Sequence, residues 1–201
     1  MKIIVWNSQD KCVADYHKLI RGCDVLCLLD CGQWTVPMYA LQIQKGLFHW
    51  KVEHEGLSYD IFYCLEKVAF ICRDGLYSGE SVLYSIHSNI GSLIGIRLQD
   101  DFWLFAHHEP NLVNAYHIGE FYLREISDRF RKAAFIADFK KKSYSWVQET
   151  VGKLYCIALP EGYYPHTVNY LFTIHVACTD LYLLEGYSEI SNQPTFFELD
   201  I

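Results

Sequence analysis

Leu93-Ile94-Gly95-Ile96-Arg97-Leu98-Gln99-Asp100-Asp101-Phe102-Trp103-Leu104-Phe105-Ala106-His107-His108 is the stretch that decides the fold. Two apolar runs, 91–98 and 102–107, flank a Gln-Asp-Asp turn signal and read as a hairpin of buried strands. The second run delivers two histidines at its end. Three other segments have the same form, a hydrophobic strand with polar residues at its C-terminal end. They are Ile3-Ile4-Val5-Trp6-Asn7-Ser8-Gln9, Asp24-Val25-Leu26-Cys27-Leu28-Leu29-Asp30, and Ala134-Phe135-Ile136-Ala137-Asp138-Phe139-Lys140. Buried strands end where a sheet meets solvent, and sites are commonly built there. A fifth segment, Ile190-Ser191-Asn192-Gln193-Pro194, carries two amides.

The rest of the chain is consistent with a strand-rich fold. Its 201 residues suit one domain, taken here as 1–201, and no repeat, low-complexity tract or Pro/Ser-rich linker divides it. An apolar fraction of 51% supports a large core and argues against disorder, and 16% aromatics favours strands. Successive strands are expected over 47–53, 60–65, 67–72 and 80–87, with short strands and loops from 154 onward. Helices are expected over 11–22, 34–46 (after Pro37), 113–132 and 143–152. Many short strands with a few helices fit either a helix-clad two-sheet sandwich or a three-layer α/β fold.

A net charge of −7 gives poor whole-molecule steering toward nucleic acid, while leaving room for a local basic patch. Eight cysteines sit largely in apolar runs and read as reduced, buried thiols of a cytosol-like compartment. Cys23, Cys27 and Cys31 recur every four residues, but their stretch reads as a strand and no Cys-x-x-Cys occurs, which argues against zinc. No classical signal peptide and no apolar run long enough for a membrane span is present, so a cytoplasmic or a signal-less injected or secreted protein is expected.

The hairpin 93–107, with 2–9 and 133–139, resembles the endonuclease/exonuclease/phosphatase superfamily of deoxyribonuclease-like proteins, and within it the active subunits of cytolethal distending toxins. The resemblance implies a trimmed α/β fold of two stacked mixed β-sheets with flanking helices, a four-layer αββα sandwich. In that family a hard divalent cation, usually Mg²⁺, is held by carboxylates and stabilises charge on the phosphate. A His oriented by an Asp takes the proton of the attacking water. Asn7 matches the family's first-strand Asn. Asp30 stands where the metal-binding Glu is expected, with its carboxylate about 1.5 Å shorter in reach. His107 matches the phosphate-contacting His, and His108 is expected on the opposite side of the pleat.

The departures from the family pattern concern proton transfer. Asp138 matches the Asp of Gly-Asp-Phe-Asn, but Lys140 replaces the Asn and either offers a point charge to a phosphate or pairs with Asp138 in the metal's place. Asn169 falls where the Asp that orients the base is expected. Asn192 and Gln193 fall where Asp and His are expected, and an amide does not take up a proton near neutral pH. The expectation is a degenerate nuclease-like domain, catalytically impaired, that binds a protein partner and has possible nucleic-acid or phosphoester ligands. No cofactor is expected unless the domain is active, in which case Mg²⁺ is. The alternatives are an active Mg²⁺-dependent endonuclease or phosphoesterase with a rearranged site, and an unrelated α/β domain whose strand ends mimic the motifs.

Overall fold

Because side chains of a strand alternate between its two faces, a run apolar at every position must be covered on both sides. The computed structural model, which describes residues 1–8, 13–87, 90–108, 126, 128–139, 155–158, 168–184 and 194–201, provides that cover with two stacked sheets. The first contains β1 (Lys2–Asn7), β2 (Val25–Gly32), β3 (Leu41–Gln44), β4 (Leu47–His54), β5 (Leu57–Cys64), β6 (Glu66–Arg73), β13 (Ala177–Leu183) and β14 (Thr195–Asp200). Its order is β13-β14-β1-β2-β6-β5-β4-β3. The second contains β7 (Tyr77–His87), β8 (Ile90–Leu98), β9 (Phe102–His108), β10 (Lys132–Phe139), β11 (Tyr155–Ala158) and β12 (Val168–Ile174). Its order is β11-β12-β10-β9-β8-β7.

Both sheets are mixed. β1 and β2 run parallel, as do β9 and β10, while the other pairs are antiparallel. Parallel neighbours need a crossover, and α1 (Val13–Ile20) lies in the one between β1 and β2. The main core is shared by the sheets and includes Val5, Leu29, Phe62, Phe70, Leu104, Ile136, Leu171 and Phe197. A second core covers the outer face of the first sheet, where Tyr16, Leu19 and Ile20 of α1 pack on Ile4, Trp6 and Leu28. On the outer face of the second sheet Phe130 packs against Trp103 and Phe105, with ring centroids 4.9 Å from each.

The expected strands and the 11–22 helix are present with shifted ends. Of the 113–132 helix, Ile126, Asp128 and Arg129 are helical, Phe130 and Arg131 are not, and β10 starts at Lys132; the remaining residues lie outside the described ones, as does 143–152. The helix expected over 34–46 is not there. Residues 38–39 form a turn, and 41–44 form β3, paired with β4. Leu41-Gln42-Ile43-Gln44 alternates at period two, and Lys45-Gly46 closes a hairpin with Gly46 at φ +87°, a conformation open to glycine at little cost.

Candidate functional site

The two parallel pairs carry their C-terminal ends to the same end of the sandwich. In β1 and β2 the register sets Asn7 beside Leu29, and Ser8 N–H donates to Leu29 O at 2.9 Å. In β9, β10 and β12 it sets His108 beside Asp138 and Asp138 beside Asn169. Asp30 and His108 then meet across the sandwich, with Oδ1 and Nε2 3.7 Å apart. Asn7 is 3% exposed and Ser8 fully buried beside them. Ser8 Oγ donates to the Asp30 carbonyl at 3.3 Å.

A local irregularity aims Asp30. Val25, Cys27 and Leu29 face the other sheet, while Leu26 and Leu28 face outward. Regular alternation would send Asp30 outward. Instead Asp30 has φ +50°, the pairing with β6 slips between Leu29 and Gly32, and Cys31 joins the outer cluster. This is a β-bulge, which bends a strand and re-aims a side chain; Asp is among the few residues that tolerate the left-handed conformation. Two consecutive residues, Leu29 and Asp30, thereby face the second sheet.

The histidines are placed opposite to the sequence expectation. Phe102, Leu104 and Ala106 belong to the core between the sheets, so His108 shares their side and reaches Asp30. His107, fully buried, falls on the outer side with Trp103 and Phe105. The resemblance had given His107 the phosphate contact and His108 the opposite side of the pleat. The phase was available in the hairpin: a charged Arg97 must face outward, the turn pairs it with Trp103, and every second residue from there, 105 and 107, follows outward.

Asn7 and Asp30 come together with His108, and Asp138 and Asn169 join them by backbone register. Lys140, Asn192 and Gln193 lie outside the described residues. Thr195 pairs with Val5, so β14 begins two positions along β1 from Asn7. Cys23, Cys27 and Cys31 do not converge, since Cys27 faces the other sheet and the other two face outward. Burial pushes the Cys23 thiol up to about 12 and those of Cys27 and Cys72 well above the ordinary range.

The described donors at this end do not make a Mg²⁺ site by themselves. That ion takes oxygen ligands in near-octahedral geometry, whereas Asp30 faces an imidazole. Among the described residues no three His, Cys, Asp or Glu side chains form a group that could hold a metal ion. A cavity of about 320 Å³ lies elsewhere, at the start of β9, lined by Glu80, Arg97, Asp101, Trp103 and Arg129 among others. Its Arg97 is matched by Glu80 at 2.6 Å and Asp101 at 2.9 Å, so it shows no stronger claim to chemistry than the strand ends.

No protein-family model matches the sequence, and no curated protein matches it. Solved structures do. A chain of the Haemophilus ducreyi cytolethal distending toxin superposes with TM-score 0.64 at 14% identity, over 100% of this chain and 98% of that one. The fold is that of the endonuclease/exonuclease/phosphatase superfamily. The 3′ phosphatase NExo from Neisseria, solved bound to a product DNA hairpin, gives TM-score 0.62 at 14% identity over 100% of both chains. An endonuclease/exonuclease/phosphatase from Beutenbergia cavernae gives 0.61 at 12% identity, over 100% of this chain and 71% of that one. At such identities the likeness is one of fold, and function does not follow from fold alone. No helix among the described residues is long and apolar enough to cross a membrane.

Proposed function

We propose that this chain is a catalytically impaired member of the superfamily whose fold it has, and that it acts as a binding or regulatory protein, an effector among the possibilities, using the ancestral cleft for a phosphoester-bearing ligand such as nucleic acid. The observation that carries the reading is the cross-strand register of Asp138 with Asn169. In the family pattern the second position supplies the carboxylate that orients the general base; here it supplies an amide. Gln193, two residues before β14, is a second amide at the position expected for the base itself. Removing a general base lowers rates by about 10²–10⁴-fold. Lys140 follows the end of β10 in sequence and provides a cation for a phosphate oxygen. The DNA hairpin bound by NExo supports nucleic acid as the ligand class to test first.

The test has two readouts. Plasmid nicking with Mg²⁺ or Mn²⁺ is expected to stay at background. Anisotropy of a labelled DNA hairpin in chelator is expected to show saturable, salt-sensitive binding that weakens in Lys140→Ala. Robust nicking that is abolished by Asp30→Asn would replace this reading with that of an active Mg²⁺-dependent phosphodiesterase.

A further inference from the structure

We propose that His108 closes the cleft of this chain to Mg²⁺ by taking the Asp30 carboxylate for itself; the inference rests on the cleft assignment above. The carboxylate does not arrive there by default. Regular alternation in β2 would turn Asp30 to the outer face, and only the bulge at φ +50° brings it inward. Once inward, its nearest described ionic partner is the Nε2 of His108 at 3.7 Å. The imidazole is nearly buried, 7% exposed, while the Asp30 side chain is 44% exposed. The immobile member of the pair is therefore the histidine, fixed in the last turn of the pleat of β9, and the carboxylate is aimed at it.

The separation matters. At 3.7 Å the two groups are too far apart for a hydrogen bond yet within ion-pair reach. A Mg²⁺ ion about 2.1 Å from Oδ1 would place its neighbouring ligands about 3 Å from that oxygen, in near-octahedral array. His108 Nε2 intrudes on that shell. A nitrogen donor there is poorly suited to a hard cation that prefers oxygen and holds its waters tightly. The imidazole cannot withdraw cheaply, because the adjacent backbone is held on both sides, His108 pairing with Ser92 of β8 and with Asp138 of β10. Among the described residues no third His, Cys, Asp or Glu side chain joins the pair in a group that could hold a metal ion. The cleft then receives a phosphoester without a bridging cation, and its specificity lies with protein donors.

Isothermal titration of Mg²⁺, with Mn²⁺ as a spectroscopic counterpart by electron paramagnetic resonance, tests this on the full chain. Wild type is expected to show no saturable Mg²⁺ binding in the millimolar range. His108→Ala is expected to tighten Mg²⁺ by about tenfold or more, the scale on which partners of metal ligands act. That gain should vanish when Asp30→Asn is added. Circular dichroism checks that the variants fold; His108→Gln, which retains bulk and supplies an oxygen, provides the same comparison if the alanine variant does not. Equal Mg²⁺ affinity in wild type and both His108 variants overturns the proposal, and so does a wild-type site that weakens on removal of His108, which would make the histidine a ligand. No turnover enters these measurements. A wild-type chain that nicks DNA would defeat the functional reading, whereas an unchanged Mg²⁺ affinity defeats this one alone.

Discussion

Asp60→Ala should be among the more damaging single changes in the first sheet. Asp60 is 2% exposed on the inner side of β5. Its Oδ1 lies 2.7 Å from His49 Nε2. The imidazole is itself clamped, stacked on Phe62 with centroids 4.5 Å apart and tilted against Tyr77 at 5.4 Å. Lys51 reaches the other oxygen at 3.8 Å, but it is exposed and screened, so it adds little. The magnitude is set by the His49 contact. A hydrogen bond to a charged group contributes about 1.5–3 kcal/mol, and stranding its buried partner raises the loss to about 2–4 kcal/mol. For a chain of this size each kcal/mol lowers the melting temperature by about 2–4 °C, giving a drop of about 5–15 °C. Urea denaturation and thermal melts followed by circular dichroism measure it. His49→Phe keeps the stacking and removes the polar partner, so it should cancel most of the Asp60→Ala loss in a double-mutant cycle. Additive losses in that cycle, or an unchanged unfolding midpoint for Asp60→Ala, would refute the reasoning.

Three other outcomes are expected. With iodoacetamide at pH 8 and mass-spectrometric mapping, Cys178, half-buried and with its thiol also pushed up by burial, should label slowly in the native state, whereas Cys23, Cys27 and Cys72 should label only on unfolding, since they are buried from the reagent as well as held protonated; native labelling of Cys27 would contradict the packing. His17, partly buried and stacked on His54 at 3.8 Å, has its pKa lowered below 6.5 by burial first and by His54 and Arg21 next. The unfolded chain therefore binds the proton more readily, stability is fully present above about 6.5 and declines as pH falls below it, and His17→Gln should flatten that decline in pH-dependent denaturation. Gly46→Ala should lower stability by about 1 kcal/mol, because φ +87° disfavours any Cβ while Leu65 leaves room for it; an unchanged midpoint would mean that the β3–β4 turn relaxes freely.

Where the sequence carried a phase, it could be read. The β8–β9 hairpin, β1 and β10 were legible because continuous apolar runs end in turn signals or polar residues. The helix expected over 34–46 failed because Pro37 looks like a helix start, whereas the period-two alternation of Leu41 to Gln44 is only four residues long. His107 and His108 were exchanged because β9 is apolar on both faces, and only Arg97 across the hairpin fixes which side is which. The inward turn of Asp30 was the least legible feature. In Leu28-Leu29-Asp30-Cys31-Gly32 only Gly32, at φ +66°, hints at a bulge, and it does not say which side chain turns; the slip against β6 arises from pairing between strands far apart in sequence.

The place of β14 bears on how the chain is made. It lies between β13 and β1, with Phe196 opposite Ile4, so one side of β1 stays unpaired until β14, about 190 residues later, has been made. At ordinary synthesis speeds of 5–20 residues per second that interval is about 10–40 s. During it, Ile3-Ile4-Val5-Trp6 presents an uncharged open edge, the form of strand most prone to pair with another chain. Folding of the first sheet is therefore a closing step taken last, and yield in a cell should respond to translation rate and chaperone supply more than to the stability of the finished sandwich.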